Sequence, residues 1–159
     1  NFGTKPIDQA EKILHDYIER ESIALSVRES DEAFYNPITD SITLPRITQF
    51  EHAETFYSTA FHECGHSTLK ANRCDREAEN KTARFGSEDY SKEELVAEIT
   101  SAAIMNHIGL ETLATFNNSA AYIQNWLKAL KNDKKLIVSA SGKAEKAARY
   151  ILNINDEKG

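Results

Sequence analysis

The sequence predicts an α+β fold that is mostly helical, with a small antiparallel or mixed sheet near its N-terminal end. Short β-prone runs occur between about residues 22 and 44, after an opening helical pattern. From about residue 51 onward, apolar residues recur at helical spacing. Because strands do not alternate with helices along the chain, a doubly wound parallel fold is excluded.

The first helix is predicted from apolar residues that share one helical face: Ile7, Ala10, Ile13, Leu14, Tyr17 and Ile18. A short strand is expected at residues 22–27. Two further β-prone runs, residues 33–35 and 41–44, flank a segment of Asn, Pro and Asp residues. Since these are turn residues, the two runs are predicted to form a hairpin with a longer loop.

Four more helices are predicted. The second helix of the chain covers about residues 51–70, and a polar stretch rich in loops follows at residues 71–90. The third begins at Ser91, which has the capping-box spacing to Glu94, and it ends at Gly109.

The fourth helix begins at Asn118 or Ser119, and the fifth covers about residues 134–152, where Gly142 can break or bend it. The chain contains no repeat, low-complexity tract or linker that would divide it. Residues 1–159 are therefore predicted to form a single domain. Because the sequence does not begin with Met, we expect it to be a piece of a longer protein.

Composition and charge exclude several classes of function. The formal net charge of −6 argues against direct nucleic-acid binding by this domain. No apolar run is long enough to cross a membrane, and the N-terminus has no signal-peptide pattern, so a cytoplasmic protein without membrane contact is predicted. Cys64 and Cys74 are too few for a disulfide framework and are expected to be reduced thiols.

The motif that carries the chemistry is His62-Glu63-Cys64-Gly65-His66, which has the form H-E-x-x-H. On a helix, residues four apart lie one above the other, so both imidazoles can bind one metal ion. Glu63 lies beside them, where its carboxylate can reach a metal-bound water. The pattern therefore predicts a metal site, and the alternative is an accidental trio on a structural helix.

A catalytic zinc site requires a third protein ligand and an open position for water. Glu94 and Glu98 share one helical face, so one can bind the metal while the other hydrogen-bonds a ligand histidine. We predict Glu94 as the ligand and Glu98 as its support. The alternative is an acidic first turn that favours the helix dipole, which explains Glu93 and Glu94 better than Glu98. His107 is a rival third ligand.

These residues predict a peptidase that uses one Zn²⁺ ion per chain to activate water, with Glu63 as the general base. The expected substrate is a protein or peptide, and no other cofactor is predicted. Tyr57, Arg76 and Tyr90 are candidate donors of a hydrogen bond to the oxyanion. The predicted hairpin is expected to supply an edge strand for an extended peptide.

Several stretches together point to one known family: AFYNPITDSITLP, FYSTAFHECGH, NRCDRE, FGSEDYSKEELVAEI, NSAAYIQNWLKALKNDKK and KAEKAARYI. They span roughly residues 33–152. On these stretches the chain resembles the C-terminal zincin-like metallopeptidase domain of ArdC-type antirestriction proteins, which plasmids and phages carry. Many proteases share H-E-x-x-H alone, whereas its combination with EELVAEI and the segment at 122–134 is more specific.

The resemblance implies a gluzincin-like site with His62 and His66 as ligands, Glu63 as the base and a glutamate of EELVAEI as the third ligand. It also implies a mobile-element protein of the bacterial cytoplasm that protects incoming DNA from restriction. The family's domain that binds single-stranded DNA has no counterpart in this sequence. Cys64-Gly65 replaces a bulkier pair; neither position faces the metal, although the Cys64 thiol can make the site sensitive to oxidation.

Two other functions stay open beside the metallopeptidase. The domain can be a metal-stabilised binding module that engages a host restriction or defence protein without catalysis. It can also be a structural helical domain with an accidental motif, which would purify without stoichiometric metal. The sequence makes no prediction about the oligomeric state.

Overall fold

The computed structural model describes residues 1–80 and 87–154. Its helices are α1 (Asp8–Arg20), α2 (Ala53–Ser67), α3 (Glu77–Asn80), α4 (Glu88–His107), α5 (Leu113–Ala129) and α6 (Lys134–Leu152). Its strands are β1 (Ala24–Val27), β2 (Phe34–Asn36) and β3 (Ser41–Leu44), followed by a short 3₁₀ turn at Ile47–Gln49. This order of a helix, three strands and further helices confirms the predicted α+β class.

The three strands form one mixed sheet in the order β1-β3-β2. Strands β2 and β3 are the predicted hairpin, and they pair antiparallel with Tyr35 opposite Ile42. Strand β1 pairs with β3 in parallel, with Leu25 opposite Ile42. The hairpin loop is held by Asn36, whose side-chain oxygen accepts a hydrogen bond from the N–H of Ile38 at 2.9 Å. Because β3 lies between β1 and β2, strand β2 is at an edge of the sheet, and it contacts α2.

Helix α4 is the central element of the helical part, because it packs against α2, α5 and α6. One hydrophobic cluster joins α1, α2, the sheet and the C-terminal halves of α4 and α6, and it includes the fully buried Leu14, Tyr17, Ile42, Tyr57 and Phe61. A second cluster lies between α4, α5 and α6 and includes Leu95, Val96, Leu130, Ala140 and Ala144. Together the clusters hold α2 and α4 side by side.

Gly65 allows α2 and α4 to approach closely. A Cβ atom at this position would lie 3.3 Å from the Cα of Ala97 and 3.3 Å from the Cβ of Thr100, closer than ordinary van der Waals contact. Its neighbour Cys64 is fully buried in the core. The expectation that Cys64 makes the site sensitive to oxidation is wrong, because burial both shields the thiol and raises its pKa.

Helix α4 begins earlier than predicted. Ser87 is its N-cap, and the Ser87 hydroxyl accepts a hydrogen bond from the N–H of Tyr90 at 3.1 Å. Ser91, the predicted cap, lies buried inside the helix. The predicted loop at 71–90 therefore contains the start of α4 as well as α3, while its residues 81–86 lie outside the described residues.

Helix α5 also begins earlier than predicted, at Leu113 and not after Asn118 or Ser119. Thr112 and Thr115 cap it reciprocally through their hydroxyls and backbone N–H groups. This pattern was missed because the capping box usually has Glu or Gln at its second position. Helix α6 continues through Gly142, since alanines before and after it pack into the core and stabilise both halves.

Arg73, in the loop after α2, joins three distant parts of the chain. Its guanidinium donates a pair of hydrogen bonds to Asp40, at 2.8 and 2.7 Å, and one to Glu21 at 3.1 Å. It also donates to the carbonyl oxygen of Ser67 at the C-terminal end of α2, at 2.9 Å. The buried Arg73 side chain thus ties the end of α2 to α1 and to the hairpin.

Replacing Arg73 by Met is expected to lower the free energy of unfolding by about 3–5 kcal/mol, because it leaves partly buried carboxylates without their cation. Urea unfolding followed by circular dichroism measures the change. Lys12→Met is the matched control, because Lys12 forms an exposed ion pair with Asp16 and its loss should have no measurable effect. Equal stability of Arg73→Met and wild type would contradict the prediction.

Candidate metal centre

Helix α2 places the motif histidines on the side that faces α4. Phe61 and Cys64 are fully buried and anchor the opposite face of α2 in the core. His62 and His66 are one turn apart, and the centroids of their rings are separated by 4.8 Å. The predicted helical spacing therefore brings the two imidazoles together.

Glu94 of α4 lies against both imidazoles. Its Oε2 atom is 2.6 Å from Nε2 of His66, and its Oε1 atom is 3.5 Å from Nε2 of His62. One ligand atom from each of the three residues lies within 4.8 Å of the others. Zinc holds such atoms at about 2.0–2.2 Å in a tetrahedron, so two ligand atoms lie about 3.4 Å apart, and small side-chain movements would bring the three residues to that spacing. The three side chains can hold a metal ion.

Each histidine has a second carboxylate at its outer nitrogen. Nδ1 of His62 is 3.2 Å from Oε1 of Glu98, and Nδ1 of His66 is 3.0 Å from Oε2 of Glu93. Both rings therefore present Nε2 toward Glu94, as metal-binding histidines do when a carboxylate holds the other nitrogen. All three carboxylates come from α4.

Glu93 was not predicted as a site residue. Its buried carboxylate accepts hydrogen bonds from Arg76 at 2.9 and 3.0 Å and from Asn80 at 3.3 Å. Adjacent helical residues point about 100° apart, so the helix pattern by itself predicts different directions for Glu93 and Glu94. Both carboxylates nevertheless contact His66, because its ring lies between them: Glu93 is at Nδ1 and Glu94 is at Nε2. The only sequence signal was a second glutamate directly before Glu94.

The carboxylates control the charge of the imidazoles. Burial by itself would lower the pKa of His62, but hydrogen bonds to Glu94 and Glu98 raise it to about 9. Burial likewise opposes protonation of His66, yet Glu93 and Glu94 raise the pKa of His66 well above its ordinary value. The carboxylates therefore favour the protonated form of both imidazoles when no cation lies between them.

Metal binding at pH 7 is expected to release about two protons, because both imidazoles must be neutral to bind a cation. The number is expected to fall as the pH is raised toward 9, where His62 loses its proton without the metal. Isothermal titration calorimetry in buffers of different ionisation enthalpy measures the proton count. Binding without proton release at pH 7 would contradict the prediction.

Glu63 lies beside the ligand cluster and is 8% exposed. Burial raises the pKa of Glu63, while the neighbouring His66 and His62 oppose the increase. A carboxylate with a raised pKa accepts a proton more readily than an exposed glutamate does, which suits a general base.

The cluster lies in a cleft that continues on both of its sides. Toward β2 and the start of α4, a cavity of about 380 Å³ has an apolar wall of Phe34, Tyr35, Pro37, Leu69 and Tyr90. Toward α5, a second cavity of about 370 Å³ is lined by Thr55, Ser58, Thr115, Asn118, Tyr122 and Trp126. Both volumes lie within the range of about 300–1,000 Å³ that is usual for ligand sites.

Of the three candidate oxyanion donors, Tyr90 lines this cleft. Tyr57 is buried elsewhere, where its hydroxyl donates to Glu11 at 2.7 Å. Arg76 is buried and bound to Glu93, so it does not face the cleft. The structure therefore brings Tyr90 to the site and keeps the other two away from it.

The rival ligand His107 lies at the opposite end of α4. It is thirteen residues beyond Glu94, which corresponds to roughly 20 Å along a helix axis. Its side chain is exposed in the last turn of α4. His107 is therefore too far away to complete the cluster.

Comparison with known proteins agrees with this geometry. Residues 9–143 match the family model of zincin-like metallopeptidases. The chain is 43% identical over 122 residues to the DNA primase TraC of Escherichia coli, a match that covers 77% of this chain and 8% of TraC. It is 34% identical over 131 residues to the protein y4eC of Sinorhizobium fredii, covering 82% of this chain and 41% of that protein.

Solved structures of the antirestriction protein ArdC from plasmid R388 have a similar fold. The Mn(II)-bound structure matches with a TM-score of 0.73 and 32% identity, over 100% of this chain and 56% of ArdC. The metal-free structure matches with a TM-score of 0.71, over 95% of this chain and 52% of ArdC. The chain thus spans about half of ArdC and a small part of TraC.

Proposed function

Because the chain belongs to the family of zincin-like metallopeptidases, we propose that it hydrolyses peptide bonds of a protein substrate with the help of one bound metal ion. The observation that carries the proposal is the position of Glu63. It is buried beside His62, His66 and Glu94, and all of them but His66 line both cavities of the cleft. A purely structural metal site would not require a base with a raised pKa at an open cleft.

His62, His66 and Glu94 would hold the ion, with Glu98 and Glu93 at the outer nitrogens of the two imidazoles. Two imidazoles and one carboxylate suit zinc best, so we propose zinc, although the similar ArdC structure contains Mn(II). When bound, the ion supplies a Lewis acid that polarises the scissile carbonyl and acidifies water.

Glu63 would remove a proton from the attacking water and return it to the leaving amine. Its burial keeps the carboxylate away from bulk water, which raises its basicity. Tyr90 would donate a hydrogen bond to the carbonyl oxygen as negative charge develops on it. Burial raises the pKa of Tyr90, so its hydroxyl keeps the proton that it has to donate.

The cleft would bind an extended segment of the substrate. Strand β2 lies at the sheet edge, and Phe34 and Tyr35 of this strand line the cavity that contains the ligands. An edge strand offers backbone groups to a peptide that adds to the sheet. The substrate residues on this side of the cleft would contact an apolar wall, and those toward α5 would contact hydroxyl and amide groups.

The similarity to the antirestriction protein ArdC supports a role of the chain in the same process. We propose that the substrate is a protein of a host restriction or defence system and that the domain acts in the cytoplasm. The formal net charge of −6 supports action on protein without direct contact to nucleic acid. Among the described helices, none combines the length and apolar composition of a membrane span.

A second candidate function is binding without catalysis. It is supported by large apolar side chains of α5 that stand out into solvent, of which Tyr122 also lines the cavity toward α5. Leu113 is 76% exposed, Phe116 55% and Tyr122 54%. Such groups can contact a partner protein. In this case the metal would stabilise the α2–α4 pair, and partner binding would not require Glu63.

The proposal is tested by removing and restoring the metal. Chelator-treated protein is expected to lose hydrolysis of an unfolded protein such as casein, and one equivalent of zinc is expected to restore it. Metal analysis of the purified protein measures the stoichiometry, and the same titration with manganese compares the two ions. Protein that binds no transition metal, or that never hydrolyses a protein with metal present, would contradict the proposal.

A further inference from the structure

We propose that Arg76 is a positioning residue of the metal centre and that it acts on His66 through Glu93. The proposal rests on the metal site proposed above, and it assigns a role to the loop between α2 and α3. Arg76 is 3% exposed and touches no part of the cleft surface formed by the ligands. It can therefore influence the metal only through the residues that it contacts.

The contacts form a continuous chain of hydrogen bonds. Arg76 donates from Nε and from its second terminal nitrogen to the two oxygens of Glu93, at 2.9 and 3.0 Å. Oε2 of Glu93 lies 3.0 Å from Nδ1 of His66. A paired guanidinium–carboxylate contact fixes the plane of the carboxylate, because both of its oxygens are held at once. The direction of the Glu93 oxygen toward His66 is thus set by Arg76.

This direction decides which nitrogen of His66 is available. An ionised carboxylate only accepts hydrogen bonds, so it selects the form of His66 with a proton on Nδ1. The lone pair of the neutral ring is then on Nε2, the atom that faces Glu94. Without Arg76, the Glu93 carboxylate would lose the paired contact that fixes its plane, and its oxygen would no longer be held toward Nδ1 of His66.

Arg76 also holds the helix that carries His66. It donates to the carbonyl oxygen of Gly65 at 3.1 Å and to the hydroxyl of Thr68 at 3.0 Å. Gly65 directly precedes His66, and Glu93 belongs to α4. One guanidinium therefore fixes the end of α2 relative to α4, which is the spacing that the ligand cluster needs.

His62 provides an internal comparison. Its outer nitrogen contacts Glu98 at 3.2 Å, but within residues 1–80 and 87–154 the side chain of Glu98 has no cationic partner other than this histidine. Glu93 and Glu98 thus have the same chemistry at the two ligands, and only Glu93 is held by a buried arginine. If Arg76 strengthens the hold of Glu93 on His66, replacing Glu93 should weaken metal binding more than replacing Glu98.

The experiment measures the zinc dissociation constant by competition with a chromophoric chelator, together with the visible spectrum of the Co(II)-loaded protein. The variants are Arg76→Met, Arg76→Lys, Glu93→Gln, Glu98→Gln and the double variant Arg76→Met/Glu93→Gln. Arg76→Met is expected to weaken zinc binding about 10–100-fold and to change the Co(II) spectrum. The double variant is expected to weaken zinc binding by clearly less than the two single effects combined, because Arg76 and Glu93 belong to one series of hydrogen bonds to His66, while the bonds of Arg76 to Gly65 and Thr68 account for the remainder.

A purely structural role would give a different result. Arg76→Met would then lower the melting temperature of the metal-free protein but leave the zinc dissociation constant and the Co(II) spectrum unchanged, and this would overturn the proposal. Additive effects in the double variant would overturn it as well. If Arg76→Met does not fold, Arg76→Lys replaces it, because Lys keeps the charge and loses the paired contact. Unchanged zinc affinity in Arg76→Lys, or equal effects of Glu93→Gln and Glu98→Gln, would then overturn it.

Failure of this inference can be distinguished from failure of the proposed function. If the wild type binds no metal, the metal site itself is wrong. If the wild type binds zinc tightly and the Arg76 variants bind it equally well, the site stands and the role of Arg76 is wrong.

Discussion

Glu63→Gln is expected to reduce hydrolysis of a protein substrate by about 10²–10⁴-fold while the metal content stays the same. Gln has nearly the same shape as Glu but cannot take a proton from water. Glu63 does not belong to the cluster of His62, His66 and Glu94, so the metal ligands are unchanged. The measurement combines the release of labelled peptide from casein with metal analysis of the same preparation.

The matched control is Glu54→Gln, which changes a glutamate in the first turn of the same helix. It is expected to keep both activity and metal. Activity that survives in Glu63→Gln would exclude Glu63 as the base. If the wild type is inactive but Glu63→Gln still binds the same partner protein, the domain is a binding module.

Glu94→Ala is expected to weaken metal binding by more than the roughly 10–100-fold that is typical for loss of an outer partner of a ligand. The reason is that Glu94 contacts Nε2 of both His62 and His66, whereas Glu98 contacts only the outer nitrogen of His62. Removal of Glu94 also leaves two imidazoles without the carboxylate that they share. The zinc dissociation constant of each variant, measured by chelator competition, gives the comparison.

Glu98→Gln and His107→Ala are the controls for Glu94→Ala. Glu98→Gln is expected to weaken binding within the range of an outer partner, and His107→Ala is expected to have no effect, because His107 lies at the far end of α4. A larger loss in Glu98→Gln than in Glu94→Ala would exchange the roles of the two glutamates. Loss of metal in His107→Ala would contradict the arrangement of the site.

The boundaries of the helices show where local patterns were insufficient. Ser91 and Glu94 have the spacing of a capping box, but Ser91 is buried and Ser87 caps α4. Moving the start of the helix to Glu88 places Glu94 in its second turn, beside α2. Packing favours the earlier start, because Ser91 is buried and Tyr90 packs edge-to-face on Trp126 of α5, with their ring centroids 5.7 Å apart.

The sequence by itself determined the class of the fold and the two motif histidines. Helical periodicity and short β-prone runs depend on neighbouring residues, and the pair His62 and His66 lies within one turn of one helix. The choice of Glu94 over Glu98 could be proposed from sequence but had no distance to support it. The likeness to a family of zincin-like metallopeptidases was also visible in short stretches of the chain.

Only the tertiary structure decided how the two helices meet. Glu93, Arg76 and Tyr90 take their positions from the close contact of α2 and α4 at Gly65 and from the loop that packs beside it. These contacts join residues that are distant along the chain, so no local pattern reports them. The physical reason is that side-chain direction in a helix is known from sequence, whereas the neighbour that it meets depends on how the core packs.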